Sequence, residues 1–415
     1  MKIGIIGSGI SGLCAAYRLS EHHEITLFER SERIGGHTHT HSVFDSAGQE
    51  LAIDTGFIVC NDWTYPNFLT LMDGLGVKFR ESTMSFGVKN QQNGLEYNGT
   101  SLATLFAQKR NVLSPRFLRM IAEILRFNRE ALADISKMAD GMTLGEYLRA
   151  KNFSTYFQRN YILPMVSAIW SAGLKQAENF PFLTFANFFK NHGMLSVNER
   201  PQWKTVVGGS SSYIEPLTRN FRDRIRCGVK IRSVERLGEE VELHLEDDSR
   251  LKFDAIVFAV HSDQALALLK DPSVAEREIL GQIPYSQNET VLHRDTSIMP
   301  RARAAWAGWN YFIPKEARAT PILTYDMNAL QGITSADRFL VTLNASDQLD
   351  PAKIIKTIIY HHPVYSPDSQ RARARRSEIS GVRRTHYCGA YWHYGFHEDG
   401  VKSAWEVCDE FGVKE

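Results

Sequence analysis

The stretch Arg33–His41, RIGGHTHTH, sets three histidines at alternate positions directly after a glycine pair. Alternate residues of an extended strand point the same way, so His37, His39 and His41 have the spacing of metal ligands. A second chemistry suits the same residues: the polar lining of a ligand that the glycine pair lets approach the backbone. Asp54 and the C-terminal YWHYGFHEDG offer further ligand atoms. Nothing in the pattern requires an ion, and no metal is expected.

The elements around the stretch favour the second chemistry. Lys2–Ile6 is short, apolar and bounded by glycine, as in a buried parallel strand. Gly7, Gly9 and Gly12 follow in GSGISG, with Ile10 and Ser11 between them. Leu13–Ser20 then reads as a helix, and EITLFER as a second strand ending on Glu29. Strand, glycine loop, helix, strand and terminal acid in this order predict a dinucleotide site. The glycines allow the tight turn, the approach of backbone to a pyrophosphate and close helix packing. The helix start offers N–H groups and the positive end of its dipole. Glu29 suits an adenosine ribose. Gly35-Gly36 shortly after Glu29 favours FAD over a nicotinamide cofactor, because a flavin's long arm must pass close to the backbone. No second GxGxxG and no CxxC pair occurs, which argues against disulfide reductases.

Bulk properties bound the class. The 415 residues exceed the size of a single core, so two domains are expected. Hydrophobic residues make up 43%, charged residues 23%, and the net charge is +1, which gives no case for nucleic acid. The five scattered cysteines read as reduced thiols of a cytoplasmic protein. No run approaches the ~20 apolar residues needed to span a bilayer.

With these motifs the chain resembles the flavin-containing amine oxidase and phytoene desaturase superfamily. IGSGISGLCAAYRL, EITLFERSERIGGHTHT and DTGFIV look like its N-terminal flavin segments. QWKTVVGGSSSYIEPL, VKIRSVERL and FDAIVFAVHSDQALALL look like its later nucleotide segments, and THYCGAYWHYGFHEDGVKSAWEV like its C-terminal motif. The resemblance implies an α/β fold: a Rossmann-type FAD-binding domain of discontinuous chain, residues 1–75, 203–275 and 380–415. A substrate domain of antiparallel sheet and helices would take residues 76–202 and 276–379, with a helical, aromatic-rich insertion. It implies flavin contacts at Arg30, Arg33, Gly35, Gly36, His37 and Thr38, at Thr55, Gly56 and Phe57, and at Ile231 and Ala259. It implies further contacts at Gly389, Tyr391, Trp392, Gly400 and Val401. His397 and Glu398 would handle protons at the ring. More narrowly, GGHTHT, TYPNF, AIWS, RPQW and GAYWHYGFHEDG are similar to a bacterial subgroup encoded beside cyclopropane-fatty-acyl-phospholipid-synthase-like methyltransferases. Some of its members are assigned as desaturases of methylated fatty acyl chains.

This resemblance implies hydride transfer from a lipid carbon to flavin N5, with dioxygen or an electron carrier as final acceptor. It also implies a methyltransferase as a partner. A flavin amine oxidase and a non-catalytic flavoprotein supporting that methyltransferase remain the alternatives. Two departures stand out. His37 replaces the arginine that many amine oxidases carry after the glycine pair, and Ala390 replaces an acid after Gly389. No lysine can be assigned to the flavin N5 position, which weighs against amine oxidation.

The middle of the chain supplies the rest. In SPRFLRMIAEILRFNRE, Ser114 reads as an N-cap and Pro115 as the first helical residue. Phe117, Met120, Ile121, Ile124 and Leu125 form one apolar face, either packed on a core or laid on a membrane. In the second case the protein would be peripheral at the inner face of the membrane. Thr143 and Glu146 predict a capping box. YFQRNYILPMVSAIWSAG and NFPFLTFANFFKNHGML are dense in aromatics, as in a core or in a tunnel for a long apolar chain. SQNETVLHRD, RAAWAGWNYFI, TPILTYDMN and DRFLVTLNA read as strands of a second, antiparallel sheet. Six arginines between Arg371 and Arg384 form a solvated face or a patch for lipid phosphates.

Overall fold

The computed structural model describes residues 1–138, 141–171, 173–196 and 199–414. Its first sheet is parallel throughout. The strand order is Ile225–Arg226, Glu24–Phe28, Lys2–Ile6, Ala255–Phe258 and Thr385–Tyr387. Ile3, Ile5, Ile256 and Val257 are fully buried, as a sheet covered on both faces requires. One face carries the helices Ile10–Leu19 and His397–Glu410. The other carries a small antiparallel sheet of Ile231–Arg236, Val241–Leu245 and Arg250–Phe253. The first helix starts at Ile10, three residues earlier than its apolar pattern indicates. Gly9 is its N-cap, and the Gly9 carbonyl accepts from the Leu13 N–H, so the glycine loop itself forms the first turn.

The second sheet has seven strands, in the order Ile354–Pro363, Tyr285–His293, Leu340–Leu343, Ile322–Asp326, Trp309–Ile313, Phe86–Asn90 and Leu95–Asn98. All pairs are antiparallel except Trp309–Ile313 with Phe86–Asn90. Four of these strands were legible in the sequence. Ile354–Pro363 was not, because its isoleucines fall on both sides and hide the two-residue period. It is an edge strand, and of its ten residues only Tyr360 is buried.

Helices between residues 102 and 191 cover this sheet; Ala172, within one of the aromatic stretches, lies outside the described residues. Ser114 caps the helix Pro115–Asp134 by accepting from the Phe117 N–H. Thr143 and Glu146 form a capping box. The inward face of the long helix is Phe117, Met120, Phe127 and Ala131, with Glu123 bound to the N–H and hydroxyl of Ser154. Leu125 departs from the expected face. At eight residues from Phe117 it has turned out by about 80° and is 53% exposed. Leu118 and Leu132, seven residues to either side, are 44% and 42% exposed on the same line.

Glycines decide how closely the segments approach. A Cβ on Gly12 would lie 1.9 Å from the Gly7 carbonyl oxygen, and one on Gly56 would lie 2.0 Å from that of His37. Backbone oxygens cannot swing aside. Gly12→Ala and Gly56→Ala are each expected to lower unfolding free energy by about 3 kcal/mol or to prevent folding. Denaturant unfolding followed by far-UV circular dichroism checks this, and wild-type midpoints would show that the crossings are loose.

Candidate active site

A cavity of about 750 Å³ runs between the first sheet, the second sheet and the helices. One end is lined by Gly7, Ser8, Gly9, Ile10 and Ser11, by Glu29, Arg30 and Gly36, and by Val229, Lys230 and Ile231. Glu29 accepts from the N–H of Ser8 at 3.1 Å, the hydroxyl of Ser8 at 2.6 Å and the N–H of Ser31 at 2.8 Å. Its oxygens are thereby aimed, and Oε1, which has a single donor, keeps lone-pair capacity for a sugar hydroxyl. A Cβ on Gly9 would meet nothing within 4 Å, whereas Gly7 and Gly12 are crowded. The cradle is therefore tight on its protein side and open at the helix start, where an anion is best stabilised.

The middle of the cavity is lined by His37, Gly56, Phe57, Ala259, Gly389, Ala390, Tyr391 and His397. His397 stacks on Phe57 with centroids 3.7 Å apart and planes 12° apart. Its Nε2 is 3.1 Å from the Thr38 hydroxyl, which is also hydrogen-bonded to the Tyr213 hydroxyl. His37 stacks on Tyr360 at 4.9 Å and tilts against His362 at 5.6 Å. The His37 Nε2 is buried with no partner among the described residues. A buried polar atom left without a partner is costly, so this nitrogen is suited to a ligand oxygen. Open space at Gly9, the aimed Glu29 and the unpaired His37 fit the adenosine diphosphate and ribityl arm of FAD.

Burial lowers the histidines of this region. His37 is brought to about 4 by burial and then by His261, His361 and Arg33. His261 falls to about 4, and His362 and His397 to about 3, with burial the leading cause in each. The cavity centre is thus lined by neutral imidazoles.

Other residues expected at the cofactor stand behind the cavity wall. Arg33 donates to the carbonyls of Ile34, Gly36 and Thr38 and so fixes the glycine-pair loop. Gly35, at φ +115°, and Gly12 shape that loop and the helix start. Thr38 is fully buried. The Thr55 hydroxyl contacts Tyr360 and His41, and His39 also bonds Tyr360. Those bonds give His39 and His41 a structural task. Gly400 and Val401 pack the C-terminal helix against the first helix, and Trp392 lies in the core behind Tyr391. Glu398 accepts from the N–H and side-chain amide of Asn67 and from the N–H of Phe68. Its carboxylate caps the helix Pro66–Gly74 and does not line the cavity.

The far arm of the cavity is aromatic and aliphatic: Ile58, Val59, Tyr65, Ile169, Trp170, Phe188, Met194, Trp203, Trp309, Tyr325, Tyr394 and Phe396, with His192. No aspartate, glutamate, lysine or arginine is among these residues. Sequence reasoning placed aromatics here in bulk but missed Trp203, Trp309 and Tyr325 individually. It also missed His261, His361 and His362, which reach the cavity from the second sheet and from the turn after Phe258. The paired histidines of IIYHHP were the available signal.

The family model described as flavin containing amine oxidoreductase matches residues 10–293. Among curated proteins, the flavin-dependent L-tryptophan oxidase RebO of Lentzea aerocolonigenes is 41% identical over 56 residues, 13% of this chain and 12% of that protein. The 4,4'-diapophytoene desaturase (4,4'-diaponeurosporene-forming) of Staphylococcus aureus (strain Newman) is 51% identical over 37 residues, 9% of this chain and 7% of its own length. Both matches therefore span only a small part of the relatives. Whole-chain structural likeness is found to a CLA-producing fatty acid isomerase from P. acnes, with TM-score 0.71, 17% identity, and 99% of this chain and 98% of that chain covered. It is found equally to cyclohexylamine oxidase from Brevibacterium oxydans IH-35A, with TM-score 0.71, 15% identity and 99% of both chains covered.

Two outcomes follow from the electrostatics. His37, His39, His192, His261, His293, His362 and His397 are held at about 4 or about 3. In the unfolded chain they titrate near 6.5. Between about 4 and 6.5 the unfolded state binds more protons, so these groups withdraw stability as pH falls through that window. Asp54 and Asp399, raised by burial to about 6, act in the opposite sense and are outnumbered. The melting temperature of the flavin-free protein should drop steadily from pH 6.5 to 4.5. A flat profile by scanning fluorimetry would contradict the burial of these rings. Glu398→Gln should lower the melting temperature while leaving the pH profile of turnover in place, since its carboxylate holds a helix end.

Proposed function

The chain belongs to the flavin containing amine oxidoreductase family, and on that footing we propose that it desaturates or oxidises a long apolar substrate, a methylated fatty-acyl phospholipid fitting best. It is an FAD-dependent oxidoreductase. The observation that carries the substrate class is the far arm, which is aromatic and aliphatic and bears no charged side chain. An ammonium entering it would lose hydration and meet no carboxylate. An alkyl chain would lose only contact with water. A fatty acid isomerase and a diapophytoene desaturase among the similar proteins support a fatty-acyl substrate and a desaturation respectively.

When bound, the flavin supplies the hydride acceptor. The chain's own residues orient and exclude. Trp170, Phe188 and Trp309 would fix the alkyl chain, because an unactivated C–H bond reacts only when closely positioned. Phe57 and His397 wall the cavity where the two ends meet. Anaerobic mixing with methylated fatty-acyl phospholipid should bleach the flavin absorbance, and mixing with amines should not. Bleaching by amines alone sinks the lipid reading. Phe188→Asp should abolish lipid bleaching with flavin content kept.

No helix among the described residues is long and apolar enough to cross a membrane. The leucine line of the long helix supports contact with a membrane surface instead. Leu118, Leu125 and Leu132 are exposed beside Arg119 and Arg129, as in a helix lying at an anionic interface. The protein should float with phosphatidylglycerol vesicles and not with phosphatidylcholine ones. Replacing all three leucines by serine should end flotation without loss of flavin, and flotation unchanged by that replacement would count against the surface.

A further inference from the structure

The direction of one buried hydrogen-bond chain is fixed by a count of protons. Tyr213 and Thr38 are both fully buried. The Tyr213 hydroxyl has a single partner among the described residues, the Thr38 hydroxyl. The Thr38 hydroxyl has two, Tyr213 and the Nε2 of His397 at 3.1 Å. Were Thr38 the donor to Tyr213, the phenolic proton would be buried with no acceptor, at the full desolvation cost of a lost hydrogen bond. Tyr213 therefore donates to Thr38. The Thr38 proton then has one acceptor left, the Nε2 of His397. That nitrogen must be bare, and a neutral ring with a bare Nε2 carries its proton on Nδ1. The His397 Nδ1 has no partner among the described residues, is not among the buried unpaired atoms, and belongs to a residue lining the cavity.

We propose that Tyr213 is a positioning residue which, through Thr38, locks His397 as its Nδ1–H tautomer and so gives the cavity a fixed, uncharged hydrogen-bond donor for bound flavin. The inference needs the flavin and is independent of the substrate class. It also changes the role open to His397. With Nε2 engaged by Thr38 and Nδ1 protonated, the ring has no free lone pair with which to take a proton. Burial and the neighbouring His37 keep it neutral. It can donate a hydrogen bond, and such a donor holds a negatively charged acceptor more strongly than a neutral one. Reduced flavin is thereby favoured over oxidised. Stacking on Phe57 fixes the ring plane, so the donor's direction is set by packing and its tautomer by the relay.

The test is the tautomer itself. The protein labelled with 15N-histidine is recorded by long-range 1H–15N correlation, and His397 is assigned by its loss in His397→Asn. Wild type should show a protonated Nδ1 and a bare Nε2. Thr38→Ser keeps the hydroxyl and should keep that pattern. Thr38→Val should move the proton to Nε2, and Tyr213→Phe should give a mixture, because Thr38 is then free to accept. A wild-type ring protonated on Nε2, or a pattern unchanged in both Thr38→Val and Tyr213→Phe, overturns the relay. The second readout is the midpoint potential of bound flavin. It should shift negative in Thr38→Val and stay at the wild-type value in Thr38→Ser. Equal potentials in the two folded, flavin-loaded variants overturn the assignment of the donor to the flavin.

Discussion

The cavity exists because bare backbone crosses bare backbone at three places. The helix start at Gly12 lies against Gly7, the glycine-pair loop touches Gly9 at Gly36, and the strand end at Gly56 presses on the His37 carbonyl. These are contacts between main chains, and a side chain at any of them would hold the segments apart by its own thickness. Everything chemical in the site hangs from them. His37 and Thr38 leave the middle crossing in opposite directions, one into the cavity and one into the protein. Phe57, next to the third crossing, is carried to within stacking distance of His397.

How far the sequence disclosed this depends on the range of the interaction concerned. The strand, glycine loop, helix and acid of residues 2–29 are contiguous, each has a local steric reason, and the structure brings the loop and the acid together in the wall of one cavity. Which side chains of a motif face the ligand is a different matter. Arg33, Thr38 and Glu398 sit within the expected segments, yet their side chains point at carbonyls, at Tyr213 and at the end of another helix. Those partners of Thr38 and Glu398 lie up to 331 residues away, and spacing along the chain carries no trace of them. The long helix shows the same limit at shorter range. Its apolar face was legible, but whether Leu125 belongs to it depends on a drift of the helical period that only the packed neighbours resolve.

The histidines invert the usual electrostatic design of an anion site. Where arginine would bring a permanent charge, His37 brings a ring that burial keeps neutral. His261 and His362 add to the same wall from other elements. Such a wall offers hydrogen bonds without fixed charge, which suits a cavity whose far arm is aromatic and aliphatic in the main. The relay through Tyr213 extends that logic: direction is imposed by where protons can go, with no formal charge involved.

The parallel sheet has a consequence for how the molecule is made. Its central strand, Lys2–Ile6, pairs with Ala255–Phe258, and the first helix packs against His397–Glu410. On the ribosome the first βαβ segment therefore emerges long before its neighbours. At ordinary synthesis rates the delay between the two helices is on the order of 20–80 s. Through that interval one face of the helix has no native cover, and for the first part of it one edge of the strand has none either. The glycine loop and Glu29 precede Tyr391 and His397 along the chain, so the wall that those two residues bear is made later. A nascent or truncated chain presents glycines and an acid without an enclosing cavity. Closure of the site thus doubles as a check that translation has passed His397.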